Sequence, residues 1–482
     1  MAGEWKGVTP KVRVSTAIGI LYDMPRYYHS TFELQNDCCM SRPKVLLLLT
    51  LTIGSLLSAS AQQILIRDVN VIDGTGAPVA THQNVLIRED RIVNITSAMM
   101  KLPDGTQVID GKGKTLMPLL INTHGHLGLL KDTTMSSANY TPENIRRHLM
   151  RFLDYGVGAV LCMGTDHKEI YGMRQDSRAG VLPGATIYTA GMGFGVKDGA
   201  PTLSFGMDKV YRPETPQEAR KDVKRLASDK PDVIKIWVDD FYGKVPKMKP
   251  EIYRAIIDEA RRKDIRVAAH LYYLSDARLL VQAGLDIMAH SIRDSVIDDG
   301  LLGEMKAHHV SYIPTLSLDE FAYSYEGDPE WINDSFFKAS LEPGVYDLIT
   351  SKAYKARIKN NPGTPKEIAA LQIAMKNLKK IYDAGIMITM GTDAGAQPVR
   401  AMGFSEHMEL QLMVKAGIPP LQAIKIATQN GAILLRADDD IGTLQPDKKA
   451  NFIMLNANPA DNILNTRKIY QVWKDGKPVE QQ

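Results

Sequence analysis

Two histidines one residue apart close an apolar run at Leu119-Leu120-Ile121-Asn122-Thr123-His124-Gly125-His126. On an extended strand residues i and i+2 point the same way, so His124 and His126 can deliver two imidazoles to one site at the strand's end, a metal-ligand geometry. Four later apolar runs also finish in a residue of ligand type: Lys235, His270, His290 and Asp393. Neutral imidazoles with a carboxylate are a donor set that suits zinc. Cysteine adds nothing to it. Of three cysteines, Cys38 and Cys39 lie near the N-terminus and only Cys162 lies in the body of the chain, which excludes a cysteine-based zinc site and an intramolecular disulfide there.

Bringing these run ends together requires a scaffold of short buried strands, and the chain between its two ends alternates apolar strands with amphipathic helices. Strands are expected over the His124 run and over 159–163, 187–191, 233–238, 266–270, 287–290, 312–316 and 387–392. Helices are expected after Thr141-Pro142 and over 216–227, 250–263, 275–283, 301–308 and 404–416. Such alternation indicates a parallel sheet with helical crossovers. Eight units close into a (β/α)8 TIM barrel whose active site lies at the C-terminal ends of the strands, where the candidate ligands fall. The segment 319–365 is too long for a simple loop. It carries Tyr323, Tyr325, Trp331, Phe336 and Phe337 and reads either as a helical lid or as an insertion packed on the barrel's flank.

Residues 62–117 are β-like, with turns at Asp73-Gly74-Thr75-Gly76 and Asp110-Gly111-Lys112-Gly113, and 440–482 supply similar runs around Phe452-Ile453-Met454-Leu455 and Ile469-Tyr470-Gln471-Val472-Trp473. The two ends are expected to form one small β-sandwich flanking a barrel of residues 118–439. The chain is α/β throughout, with 44% hydrophobic and 23% charged residues among 482 and a net charge of +3. That is the balance of a soluble enzyme and argues against nucleic acid as a partner. A small-molecule substrate is expected, with a homo-oligomer as the default assembly.

Ahead of Gln62, the basic segment Met40-Ser41-Arg42-Pro43-Lys44, the apolar run 45–57 and Ala59-Ser60-Ala61 have the layout of a signal peptide over 40–61. The run is shorter than the roughly 20 residues of a membrane-spanning helix. Secretion or periplasmic export without a lasting membrane anchor is therefore expected, with translation starting at Met40 and residues 1–39 a mis-assigned extension.

His124-Gly125-His126, the later histidines and Gly391-Thr392-Asp393 resemble the metal-dependent amidohydrolase superfamily, and Val233-Ile234-Lys235-Ile236 resembles its branch of prolidase-like and imidazolonepropionase-like proteins. The resemblance spans 63–482. It departs at Pro118-Leu119, where a Pro-Gly is usual, and at Asp447 and Asn451 in the closing segment. It implies two divalent metal ions, zinc by donor chemistry. His124, His126 and Asp393 would hold the more buried ion and His270 and His290 the other, with Lys235 bridging both as a CO2-derived carbamate. An ammonium buried and unpaired in that apolar run would be costly, and a carbamate removes the cation. The alternative is a Lys235 that pairs with Asp239 or Asp240. Asp393 is also the candidate catalytic residue, shuttling a proton from metal-activated water to a leaving amine.

The expected reaction is cleavage of a C–N amide bond in a dipeptide or N-acyl amino acid by metal-bound hydroxide. The alternative is a mononuclear cyclic-amide or lactone hydrolase, or a deaminase. Deaminases of this superfamily tend to carry a glutamate three residues after the fifth-strand histidine, and this chain has Tyr273 there. A third reading, a binding paralogue without metals, is disfavoured by the presence of all six ligand positions. Arg293 is a candidate for binding a substrate carboxylate, or else for pairing with Asp294, and Tyr272 for touching substrate. The remaining expectations are a supporting or packing role for His407, a surface place for His148 and His167, a helix-end place for His308 and His309, and a core place for Cys162.

Overall fold

The computed structural model describes residues 63–203 and 206–480. The proposed extension 1–39 and signal peptide 40–61 lie outside the described residues.

Two sets of parallel strands carry the fold. Thr186–Thr189, Val157–Cys162 and Leu120–Gly125 pair in that order, and Ile234–Trp237, Val267–His270, Ile287–Ala289 and Ser311–Ile313 form the second set. Single parallel bridges link the sets: Phe194 with Ile236, Tyr312 with Ile388, and Gly125 with Ala394. The strands are apolar on both faces because both are covered, as parallel sheets require. Ile121, Ala159, Tyr188, Ala268, Ile287 and Ile313 share one inner cluster. Their strand neighbours Leu120, Val160, Ile187, Ala269, Met288 and Tyr312 pack outward with the helices.

The expected eighth strand is not a regular one. Over 387–394 the backbone makes bridges only, at Ile388 and Ala394. It is pinned to the first strand by bonds from Thr123 N to Met390 O (2.8 Å), from Asp393 N to His124 O (2.8 Å) and from His126 N to Ala394 O (2.9 Å). The segment leaves the extended path at Asp393, which has φ of 57°, since an L-residue in the left-handed region breaks the pleat. The seventh strand likewise ends at Ile313, because Thr315 has φ of 51° and Leu316 opens the helix Leu316–Phe321.

The crossover helices start where the caps lie. Thr141 accepts from Asn144 N ahead of Pro142–Asp154, and Thr215 and Glu218 form a reciprocal capping box ahead of Pro216–Ala227. The insertion is helical, with Ser335–Ser340, Val345–Thr350 and Lys352–Lys359. Its aromatic residues pack inward. Tyr325, Trp331 and Phe337 stack edge-on with one another and, through Trp331 and Phe337, with Phe404. They therefore seat the insertion on the flank of the helix Phe404–Lys415.

Both chain ends meet in one sheet. Phe452–Leu455 runs antiparallel to Thr115–Pro118, which runs parallel to Gln63–Val71. Hydrogen bonding makes this a single eight-stranded sheet rather than two separate layers. It curls, because Ile92 near one edge and Trp473 near the other share a cluster with Phe452.

Gly395 fixes how closely the Asp393 segment approaches the first strand: a Cβ there would lie 2.1 Å from His126 O, at φ of +88°. Gly395→Ala is expected to destabilise the protein by about 2–4 kcal/mol through steric overlap and backbone strain. A urea midpoint indistinguishable from wild type would contradict that close approach.

Candidate metal centre

The strand Leu120–Gly125 delivers His124 and buries it, while His126 follows one residue past the strand, also buried. Their Nε2 atoms converge on one carboxylate oxygen, Asp393 Oδ1, at 3.3 Å and 2.8 Å. The ligand atoms of these three side chains all lie within 4.8 Å of one another. Lys235 enters from Ile234–Trp237, with Nζ 3.4 Å from His124 Nε2. His290 stacks 4.4 Å from His124, and His270 4.4 Å from His290, between ring centroids. All six residues expected as ligands thus line one cavity of about 240 Å³.

Three of the four rings are held from behind. His126 Nδ1 is 2.7 Å from Thr165 Oγ1, His290 Nδ1 2.8 Å from Thr315 Oγ1, and His270 Nε2 2.9 Å from Asp239 Oδ2. Such outer partners fix tautomer and orientation. His290 and Asp393 both sit at positive φ, 79° and 57°, where strained backbone aims a side chain that a regular strand would turn away.

Electrostatics set the protonation states. Burial pushes His124 down to about 3, helped by the nearby Lys235, and it holds His290 well below its ordinary value, so these imidazoles are neutral and able to donate lone pairs. Burial raises the Asp393 carboxyl, but Arg400 and the two histidines outweigh it and hold it well below the usual carboxylate range. Lys235 is 1% exposed and burial pulls its amine down to about 7. Asp239 pairs with His270 and Asp240 with Lys247. Among the described residues no carboxylate forms an ion pair with Lys235.

The site fits divalent cations. Two imidazoles and an ionised carboxylate converge, His124 Nδ1 is buried without a hydrogen-bond partner, and burial lowers the amine of the neighbouring Lys235 to about 7. An ion held among them would satisfy what the protein alone leaves unmatched.

The other expected residues fall as follows. Tyr272 and Arg293 line the cavity. Arg293 does not pair with Asp294: its Nη1 donates to Asp319 at 2.9 Å, its Nη2 to Leu271 O at 3.2 Å, and its guanidinium lies 4.9 Å over the Tyr272 ring. Tyr273 turns to Asp240, 3.0 Å from its hydroxyl. His407 is a packing residue, held by Thr466 and Tyr155 O.

His148 is fully buried, not on the surface. It lies on the apolar face of Pro142–Asp154, where its Nδ1 accepts from Gly128 N at 3.0 Å, and burial keeps it neutral. His167 is half-buried, because its ring stacks 4.1 Å from Tyr140. Cys162 is buried. The insertion's aromatic residues stay out of the cavity, to which the region around it contributes only Leu318 and Glu367.

Sequence reading missed Asp239, Asp319, Glu367 and Arg400. Asp239 carried a signal, since it stands two residues past the Trp237 that pairs with His270 across neighbouring strands. Arg400 carried none, lying in an irregular segment after the last strand.

Comparison with known proteins agrees with this arrangement. The Amidohydrolase family profile matches residues 115–479. A 5-methylthioadenosine/S-adenosylhomocysteine deaminase of Halalkalibacterium halodurans is 22% identical, over 81% of this chain and 84% of that protein. Ochratoxinase of Aspergillus niger is 25% identical over 67% of this chain, and the match spans 59% of that protein. Among solved structures, a Xaa-Pro dipeptidase with bound methionine superposes with a TM-score of 0.68 at 24% identity, covering 87% of this chain and all of that one. Because the family match takes in every strand-end group of the cavity, this chain belongs to the Amidohydrolase family.

Proposed function

We infer that the chain is a secreted or periplasmic hydrolase that holds two divalent ions, zinc by donor type, and cleaves the amide bond of a dipeptide or N-acyl amino acid. Family membership makes it a metal-dependent hydrolase of carbon–nitrogen bonds. The observation that carries the finer reading is the single cavity in which His124, His126 and Asp393 converge beside a buried Lys235 whose charge burial disfavours and which, among the described residues, has no ion-pair partner. A closed (β/α)8 barrel is the scaffold this reading takes, supported by the three bridges that link its strand sets.

In this reading His124, His126 and Asp393 hold one ion and His270 and His290 the other, with Lys235 bridging as a carbamate. An amine lowered to about 7 is neutral in a large fraction near that pH, and the neutral amine is the form that takes up CO2. When bound, such ions supply Lewis acidity, polarising a carbonyl and lowering the pKa of water. Asp393 Oδ1 faces the two histidines and Oδ2 faces Arg400. The carboxylate therefore stands where it can accept the proton of the attacking water and return it to the departing amine nitrogen. His270, backed by Asp239, is kept oriented.

A second reading, deamination, has one observation in its favour, the likeness to a deaminase along 81% of the chain. Against it, Tyr273 stands where a glutamate would shuttle the proton and turns to Asp240 instead.

Export rests on the segment 40–61 alone. N-terminal sequencing of the protein recovered from a producing cell is expected to start near Gln62, and an intact Met1 would overturn it. Among the described residues no helix is long and apolar enough to cross a membrane.

Metal analysis by mass spectrometry is expected to give about two zinc per chain, with amide cleavage lost on chelation and restored by zinc. About one metal per chain would replace this reading with a mononuclear one in which Lys235 is unmodified. Asp393→Asn is expected to lower kcat by roughly 10²–10⁴-fold, the range for removing a positioned proton acceptor. Asp239→Asn is expected to weaken metal affinity about 10–100-fold, read by competition with a chromophoric chelator. Unchanged affinity would remove His270 from the ligand set.

A further inference from the structure

We propose that Arg400 is the receptor for a carboxylate on the substrate, placed so that the group recognised sits next to the scissile amide. The inference rests on the amide-cleaving reading above and specifies its substrate as one whose departing half is a free α-amino acid.

Two arginines line the cavity, Arg293 and Arg400. Arg293 is occupied. It is buried, its charge is matched by Asp319 at 2.9 Å, its second amino group donates to Leu271 O, and its Nε is buried without a hydrogen-bond partner. A substrate carboxylate that took over its Nη1 would displace a buried carboxylate and leave it unpaired.

Arg400 is also paired with a buried carboxylate, Asp393 Oδ2, but that is its one hydrogen-bonded partner among the described residues. A guanidinium carries five N–H donors, and those not directed at Asp393 belong to a side chain that lines the cavity and is 14% exposed. The neighbouring Ala396 and Gln397 line the same wall.

Asp393 is a shared partner. With cations held by the strand-end ligands, its charge is drawn towards them, and the guanidinium is left with excess positive charge at the cavity wall. A planar fork of N–H donors beside such a site matches a carboxylate bidentately. The contact with Asp393 also sets distance. A group bound by Arg400 lies within one side chain of the carboxylate that serves the leaving nitrogen. A carboxylate on the α-carbon bonded to that nitrogen meets this spacing, whereas one on a distant part of a larger substrate does not.

The cavity is also lined by Glu367, which accepts from the Tyr242 hydroxyl at 2.9 Å. The cavity thus carries an anionic group as well as its arginines and is not a uniformly cationic funnel.

The test compares N-acetyl-L-leucine with its primary amide N-acetyl-L-leucinamide as substrates, and L-leucine with L-leucinamide as ligands in calorimetric titrations of the metal-loaded protein. Wild type is expected to prefer the acids in both assays. Arg400→Gln is expected to reduce the acid-over-amide ratio of kcat/KM by on the order of 10²-fold, chiefly through KM, and to abolish calorimetric binding of L-leucine. Arg400→Lys keeps the charge without the fork and is expected to fall between.

Metal content is measured on each variant, so that loss of the centre is separated from loss of recognition. A wild type that cleaves both substrates equally, or an Arg400→Gln protein that keeps its metals and its preference, overturns the Arg400 inference while leaving amide cleavage standing. A wild type that cleaves neither but binds L-leucine in an Arg400-dependent way overturns amide cleavage of this class and retains the receptor.

Discussion

The carboxylate of Asp393 is the point on which the site's electrostatics turn. It is buried, and burial alone would raise its pKa, yet His124, His126 and Arg400 surround it and keep it ionised. An unpaired carboxylate in such a place would cost several kcal/mol. Three donors on one acid also leave the histidines short of a partner of their own, as the orphaned His124 Nδ1 shows. The protein alone cannot satisfy the whole set, and a cation can. Asp393 therefore links the fold's closing segment, the ligand set and the cavity wall through one side chain.

Holding that side chain in place requires more than the ligands. Asn122 Nδ2 donates to Thr392 Oγ1 at 2.9 Å and to Glu406 Oε1 at 2.6 Å, and Thr392 Oγ1 donates to the same oxygen at 2.7 Å. Glu406 Oε2 accepts from Gly403 N. This fully buried network ties the residue before Asp393 to the first strand and to the helix Phe404–Lys415. That helix carries Glu406, His407 and Glu409 buried, and its first seven residues are buried on every face. Glu409 accepts from the backbone N–H groups of Leu316 and Ser317, so the helix also anchors the turn that follows the seventh strand.

What could be read from the sequence follows from these physics. That His124, His126, Lys235, His270, His290 and Asp393 come to one cavity was foreseeable because an apolar run that carries a polar ligand type violates the expectation for a core, and five such runs stand out together. The crossover helix Pro216–Ala227 was visible to the residue because Thr215, Pro216 and Glu218 mark its start chemically. The eighth strand was over-read, because its composition is that of a strand while Asp393 leaves the pleat. His148 was misplaced because a histidine on an amphipathic helix reads as polar, and only the tertiary contact with Gly128 N shows why it is inside. Arg400 and Asp319 gave no local signal: Arg400 meets Asp393 across an irregular segment to which no period applies, and the partner of Asp319 is 26 residues away.

The same partition separates what can vary from what cannot. Ligands stand on strand ends whose rotation is fixed by neighbours on both sides, and their backing groups, Thr165, Thr315 and Asp239, lie just past strands of the same layer. Tyr242, Glu367, Gln397 and Arg400 come from irregular segments or from a helix's first turn, and they line the same cavity, Arg400 in contact with Asp393. A change in a ligand propagates through Asp393 into the buried network and hence into the fold. A change at Tyr242 or Glu367 alters one hydrogen bond at the cavity wall. The insertion behaves like the fold rather than the wall, because its aromatic residues are locked onto Phe404. Its contribution to catalysis is then to hold the helix that holds Thr392, and substrate preference is set by the few side chains that face the cavity from loops.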